Sequence, residues 1–256
     1  MQSSEHILTD TPPPADARLR YGQDKYQFGD LRLPSGPGPF AAAMFIHGGF
    51  WRSRYDLSHA GFICAALTKA GFITWNAEYR RVGNPGGGWP GSFEDVTAAY
   101  QFLTQLASKY SIDQKRILVL GHSAGGQLAL ALAAHHNSMR AVVSLAGVVD
   151  LKQAWKLHLS NDAVSEFLGG PPERVPDHYR EASPIDLDIH CPQLLVHGTQ
   201  DDIVPIAMSR EYVIAKEGKK EHVQLLELPK AGHFEIVDPA SGAWAQVQKK
   251  VLELVR

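Results

Sequence analysis

The stretch "RILVLGHSAGGQLALALAA" (116–134) carries the clearest chemistry in the chain. The five-residue strand RILVL, apolar after its arginine, runs into Gly121–His122–Ser123–Ala124–Gly125, and an Ala/Leu-rich helical pattern follows. A serine placed between glycines at a strand-to-helix turn stands clear of its sheet. A helix N-terminus beneath it favours developing negative charge. The turn is sharp, so Ser123 is expected in a strained backbone conformation, and a Cβ at Gly121 or Gly125 would collide across it. A hydroxyl is a poor nucleophile until a base takes its proton. A histidine held by an acid must therefore accompany it.

Two strand ends downstream supply that pair. "LLVHGTQDDIVP" (194–205) places Asp201 and Asp202 directly after a strand, and "LLELPKAGHFEI" (225–236) places His233 on the loop after the last one. The chain order serine, acid, histidine is the one this type of turn uses. The residues themselves leave Asp201 and Asp202 both open as the acid. Catalysis by the two carboxylates alone is the weaker reading, because adjacent loop residues seldom face one substrate.

A serine that attacks a carbonyl also needs donors aimed at the oxyanion. One is the backbone N–H of the following residue, Ala124, and the second comes from an early loop after a strand. "MFIHGGFW" (44–51) provides that loop: Gly48 and Gly49 let the backbone approach a substrate, so the N–H groups of Gly49 and Phe50 can point inward. Phe50 and Trp51 then become walls for an apolar substrate group.

Other motifs count for less. His47, His122 and His197 also sit beside glycines at strand ends and are expected to be structural. No H-E-x-x-H or C-x-x-C spacing occurs, so neither zinc nor any other metal is expected. "GNPGGGWPG" (83–91) lacks the Lys-Ser/Thr of a phosphate loop, and no cofactor is expected. With a net charge of −2 and basic pairs as scattered as Arg80–Arg81, Lys219–Lys220 and Lys249–Lys250, no nucleic-acid or membrane patch is expected. A small-molecule substrate is the expected partner, and a homodimer is an assembly the sequence leaves open. Cys64 and Cys191 are placed as reduced, buried thiols. With no secretory leader and no spanning apolar run, a soluble cytoplasmic protein is expected.

The elements that must position these residues alternate along the chain. Strands are predicted at 41–47, 72–79, 116–120, 141–147, 193–198 and 222–228, with helices near 57–71, 93–106, 124–135, 205–217 and 240–255. Continuous apolar strands imply burial on both faces, as in a mostly parallel sheet flanked by helices. Residues 1–20, with Pro12–Pro13–Pro14, read as a flexible arm, and 21–256 as one domain. The polar segment of about 150–188 reads as short inserted helices, placed to form a partial lid.

Taken together, "HGGFW", "GHSAGG", "HGTQDDIVP" and "AGHF" resemble the α/β-hydrolase superfamily, in its carboxylesterase and hormone-sensitive-lipase-like branch, from about Tyr21 to the C-terminus. The H-G-G-x-W form is similar to that of kynurenine formamidase (arylformamidase), with Trp51 at the motif's tryptophan. The resemblance implies an α/β-hydrolase fold with a short inserted cap. Family usage H-G-x-x-D-x-x-V-P implies Asp201 as the acid. The chain departs from the lipase-like pattern at Phe50, where a third glycine is usual, and at Glu78–Tyr79–Arg80, where Asp-Tyr-Arg is usual. The first departure favours the formamidase-like branch, and the second is expected to leave a structural ion pair intact.

The expected function is therefore a serine hydrolase that cleaves a small acyl or formyl group from an aromatic amide or ester. Ser123 is its nucleophile, His233 its base and Asp201 the orienting acid. Phe50, Trp51, Trp155 and Tyr179 would form the aromatic surface for the leaving group. A general short-chain carboxylesterase is the alternative of the same class. A binding protein that keeps the fold without catalysis is the alternative of another class.

Overall fold

The computed structural model describes residues 4–256. Its centre is one eight-stranded sheet: β1 (Ala17–Arg20), β2 (Phe28–Arg32), β3 (Phe40–Ile46), β4 (Ile73–Ala77), β5 (Ile112–His122), β6 (Ala141–Leu145), β7 (Gln193–Gly198) and β8 (Val223–Leu228). The spatial order is β1-β2-β4-β3-β5-β6-β7-β8. β1 and β2 run antiparallel to their neighbours, and every pair from β4 onward is parallel.

The helices are α1 (Gly61–Lys69), α2 (Gly91–Gln105), α3 (Ala107–Tyr110), α4 (Ala124–His135), α5 (Leu151–Lys156), α6 (Ala163–Leu168), α7 (Pro176–Ala182), α8 (Ile206–Gly218) and α9 (Trp244–Glu253). They cover both faces of the sheet. The strand period of two explains how. Met44 and Ile46 of β3 join one core with Val119, Leu128 and Leu132. Ala43 and Phe45 turn the other way, into a second core with Leu120, Ile63, Leu67, Val247 and Val251. A strand buried on both faces has no polar side to alternate, and this is why β3 and the Ile117–Leu120 half of β5 read as unbroken apolar runs.

Two strands were not expected. β1 is a polar edge strand and β2 lies between it and β4: Asp30 of β2 is buried where Arg18 of β1 clasps it through two hydrogen bonds of 2.7 and 2.9 Å. A buried aspartate covered by an exposed arginine leaves no hydrophobic pattern. The expectation of a flexible arm over 1–20 is corrected over residues 4–20, residues 1–3 lying outside the described part. A 3-10 turn, Ser4–Leu8, buries Ile7, and β1 adds an edge to the sheet. The helix expected at 57–71 likewise begins as a 3-10 turn, Leu57–Ala60, capped by the Asp56 side chain, before α1.

The inserted segment forms α5, α6 and α7 between β6 and β7, as short helices. Its apolar residues Leu151, Ala154, Val164, Phe167 and Tyr179 pack into the first core. Cys64 and Cys191 are free and buried, and burial pushes their thiols up to about 12 and about 11. Among the described residues, no helix is long and apolar enough to cross a membrane.

Candidate active site

Ser123 sits between β5 and α4 with φ 55° and ψ −120°. This is a conformation that costs a non-glycine residue of order 1–3 kcal/mol and persists only where its neighbours hold it. They do so here through the backbone: Ser123 N–H donates to Leu145 O at the end of β6 (2.9 Å), and Ser123 O accepts from Gly126 N (2.9 Å) and Val148 N (3.3 Å). The glycine requirement is steric. A Cβ on Gly121 would lie 2.0 Å from Gly125 O, and one on Gly125 would lie 2.1 Å from Ile46 O. The helix that begins at Ala124 directs its positive end at the serine.

Asp201 and His233 lie on the loops after β7 and β8, and these loops are stitched together. Gln200 N–H donates to Ala231 O (2.9 Å), Thr199 N–H to Leu228 O (3.0 Å) and Lys230 N–H to Thr199 Oγ1 (3.1 Å). His233 Nδ1 then stands 2.7 Å from Asp201 Oδ2, and Asp201 Oδ1 accepts the N–H groups of Ile203 and Val204, each at 2.9 Å. Burial opposes ionisation of Asp201. The hydrogen bonds from His197, His233 and the Val204 N–H outweigh it, and the carboxyl stays far below the usual carboxylate range. Asp202 is exposed, and of the two acids it is Asp201 that lies against His233.

The histidines expected to be structural have defined work. His197 is fully buried. It bonds Ser209 Oγ through Nδ1 (2.7 Å), while its Nε2 reaches Val204 O (2.9 Å) and lies 3.2 Å from Asp201 Oδ2. His47 bonds Glu78 Oε1 through Nε2 (3.0 Å) and stacks on Tyr79. Glu78 also lies 3.3 Å from the Arg81 guanidinium, whereas Arg80 pairs with Asp95 at 2.6 Å. Glu78 thus keeps a buried ion pair, with Arg81 and not the motif's Arg80 as its partner.

A cavity of about 90 Å³ adjoins the serine, lined by Gly49, Phe50, Ser123 and His233 together with Leu8, Tyr55, His59, His122, Ile203 and Phe234. His122 donates from Nε2 to His233 O (3.0 Å), and burial, with His233 and His59 nearby, holds its imidazole well below the ordinary range. Burial, followed by His47, lowers His59 to about 3. Both rings are therefore neutral at pH 7. Phe50 has φ 48° and Gly49 φ 109°, an irregular loop that turns its backbone toward the cavity. Among the described residues, the N–H groups of Gly49, Phe50 and Ala124 have no backbone acceptor. A wider groove of about 990 Å³ between the N-terminal turn, α1 and α9 contains none of Ser123, Asp201 or His233. No cluster of three His, Cys, Asp or Glu side chains converges as a metal site would among the described residues.

Three expected wall residues are elsewhere. Trp51 is fully buried, stacks on Phe167 at 4.5 Å and 8°, and donates from Nε1 to Gln127 Oε1 (2.9 Å). Tyr179 is fully buried and bonds Gly170 O, and Trp155 packs against the first core. The insert is not a lid over this cavity, because none of its residues lines it. It braces the glycine loop from behind: Arg52 pairs with Glu166 (2.7 Å), and Gln127 Nε2 donates to Ala182 O (2.8 Å). Sequence reading missed Tyr55, His59, Ile203, Phe234 and Leu8. Phe234 and Ile203 adjoin motif residues and were within reach, whereas nothing local marks Leu8.

The geometry can be set beside known proteins. The BD-FAE family model matches residues 30–214, more than half of the 256. The chain belongs to this family. It is an α/β hydrolase of the carboxylesterase-like branch, and a hydrolase by activity class. Relatives include the "uncharacterized peptidase YtmA" of Bacillus subtilis, 28% identical over 76% of this chain and 75% of that protein. Esterase LipQ of Mycobacterium tuberculosis is 27% identical over 77% of this chain, which spans about half (51%) of the longer protein. The kynurenine formamidase of Meyerozyma guilliermondii is 25% identical over 93% of this chain and 91% of its own. Among solved structures, a truncated carbohydrate esterase from gut microbiota superposes with a TM-score of 0.81 at 22% identity, covering 96% of this chain and 99% of that one. At that identity the likeness speaks to the fold.

Proposed function

We propose that this protein hydrolyses small acyl or formyl groups carried on aromatic leaving groups, through Ser123, His233 and Asp201. His233, its Nδ1–H donated to Asp201, takes the Ser123 Oγ proton at Nε2 as the oxygen attacks the carbonyl carbon. The N–H groups of Ala124, Gly49 and Phe50 receive the oxyanion. The proton on Nε2 passes to the leaving amine or alcohol as that bond breaks, leaving an acyl- or formyl-serine. Water, deprotonated by the same nitrogen, then releases the acid and restores the serine.

The observation that carries this reading is the cavity. At about 90 Å³ it is far below the roughly 300–1,000 Å³ of pockets that hold drug-sized ligands, so it suits a formyl or acetyl group and excludes a long acyl chain. Phe50, as expected, with Tyr55 and Phe234 in place of Trp51, Trp155 and Tyr179, supplies the aromatic surface. The kynurenine formamidase relative makes formylkynurenine the leading substrate, and the esterase relatives keep short aryl esters beside it. The measurement is kcat/KM for formylkynurenine beside p-nitrophenyl esters of two to ten carbons. Highest efficiency on the long chains would refute the reading. Short-ester turnover with no formamide turnover would leave a plain carboxylesterase.

A further inference from the structure

The cavity beside Ser123 is closed on its outer side by the N-terminal turn. Leu8 lines it together with Tyr55 and His59, and the same three residues line a second, outer cavity of about 410 Å³ that also contains Thr9, Asp10, Arg54, Asp56 and Ser58. Leu8 is 38% exposed, as a wall wetted from its outer side would be. An apolar inner chamber and a larger polar outer one thus share a single partition.

The partition is anchored to the catalytic loop. Ser4 Oγ donates to Asp238 Oδ2 at 2.7 Å, and His6 Nε2 lies 3.3 Å from the same oxygen. Asp238 Oδ1 is held in turn by Ala240 N–H (2.8 Å). His6 Nδ1 reaches Asp10 Oδ2 (3.2 Å), its ring meets Phe62 edge-on at 5.8 Å, and Ile7 is buried in the second core. Asp238 belongs to the segment that carries His233 and Phe234, so the turn is fixed relative to the reacting groups and not merely laid on the surface.

We propose that Leu8, and not the inserted helices, sets the upper size of the group that can sit beside Ser123. The inference rests on reading that cavity as the reaction site. Shortening Leu8 joins the inner chamber to the outer one, and a longer or wider group can then pass between Tyr55 and His59. A methylene admitted to or refused by an apolar pocket is worth about ten- to two-hundredfold in kcat/KM.

The test compares the native chain with Leu8→Ala and Leu8→Trp. The ratio of kcat/KM for p-nitrophenyl hexanoate to that for the acetate should rise about tenfold or more in Leu8→Ala and fall in Leu8→Trp. A second readout does not depend on turnover: acetate and hexanoate are titrated while the histidine ring signals are followed by NMR. The native chain should take acetate and refuse hexanoate, and Leu8→Ala should take both. An unchanged ester ratio, or hexanoate bound equally by the native chain and Leu8→Ala, would overturn the proposal. Absence of ester turnover in every protein would count against the reaction site, and the titration would still decide the wall.

Discussion

Asp201 Oδ2 faces two histidines at once, His233 Nδ1 at 2.7 Å and His197 Nε2 at 3.2 Å. The first is the proposed base, and the second is buried behind the carboxylate with its Nδ1 bonded to Ser209. With Oδ1 bound to the N–H groups of Ile203 and Val204, the carboxylate has almost no rotational freedom, and it in turn fixes the orientation of the His233 ring.

Asp201→Asn should therefore lower kcat by about 10⁴, since an amide in that place favours the wrong imidazole tautomer. Asp202→Asn should change kcat by less than about threefold, because a charge out in solvent is well screened. Steady-state kinetics on a short aryl ester checks the pair, and the reverse ranking would reassign the acid.

Trp51 is a strut in this structure. Trp51→Phe keeps a ring to stack on Phe167 but leaves Gln127 Oε1 buried without its donor, a loss of about 1–3 kcal/mol of stability. Urea unfolding should show that loss. kcat should fall about tenfold or more as the loop carrying Gly49 and Phe50 shifts, with KM little changed. A changed KM at unaltered stability would return Trp51 to the substrate wall.

Stability should fall as pH falls below about 6.5. His59 takes up its proton only near pH 3 when folded, against about 6.5 when unfolded. Between those values the unfolded chain binds the extra proton, so acidification favours unfolding. From pH 7 to pH 5 this amounts to about 2 kcal/mol for His59, and His122, also lowered, acts in the same direction. Replacing His59 by Asn should reduce the difference between unfolding free energies at pH 7 and pH 5 by about that amount. An equal pH dependence in both proteins would show that His59 is protonated in the folded state.

The sequence by itself determined the strands buried on both faces, the strand–Gly121–Ser123–Gly125–helix turn, and the two downstream strand ends that carry Asp201 and His233. These features are legible because each is local. An apolar run, a glycine where a Cβ would strike backbone, or an acid beside a strand end leaves its mark within a dozen residues. Only the tertiary structure decided what surrounds the serine. Trp51, Tyr179 and Trp155 are aromatic whether they line a cavity or pack a core; Trp51, stacked on Phe167, and Tyr179 are in the core, and Trp155 packs against it. Leu8 reaches the cavity although it lies more than a hundred residues from Ser123, because Ser4 and His6 fasten the N-terminal turn to Asp238 at the other end of the chain. Such a contact depends on where the folded sheet brings two distant loops, and no pattern of spacing or propensity encodes that distance.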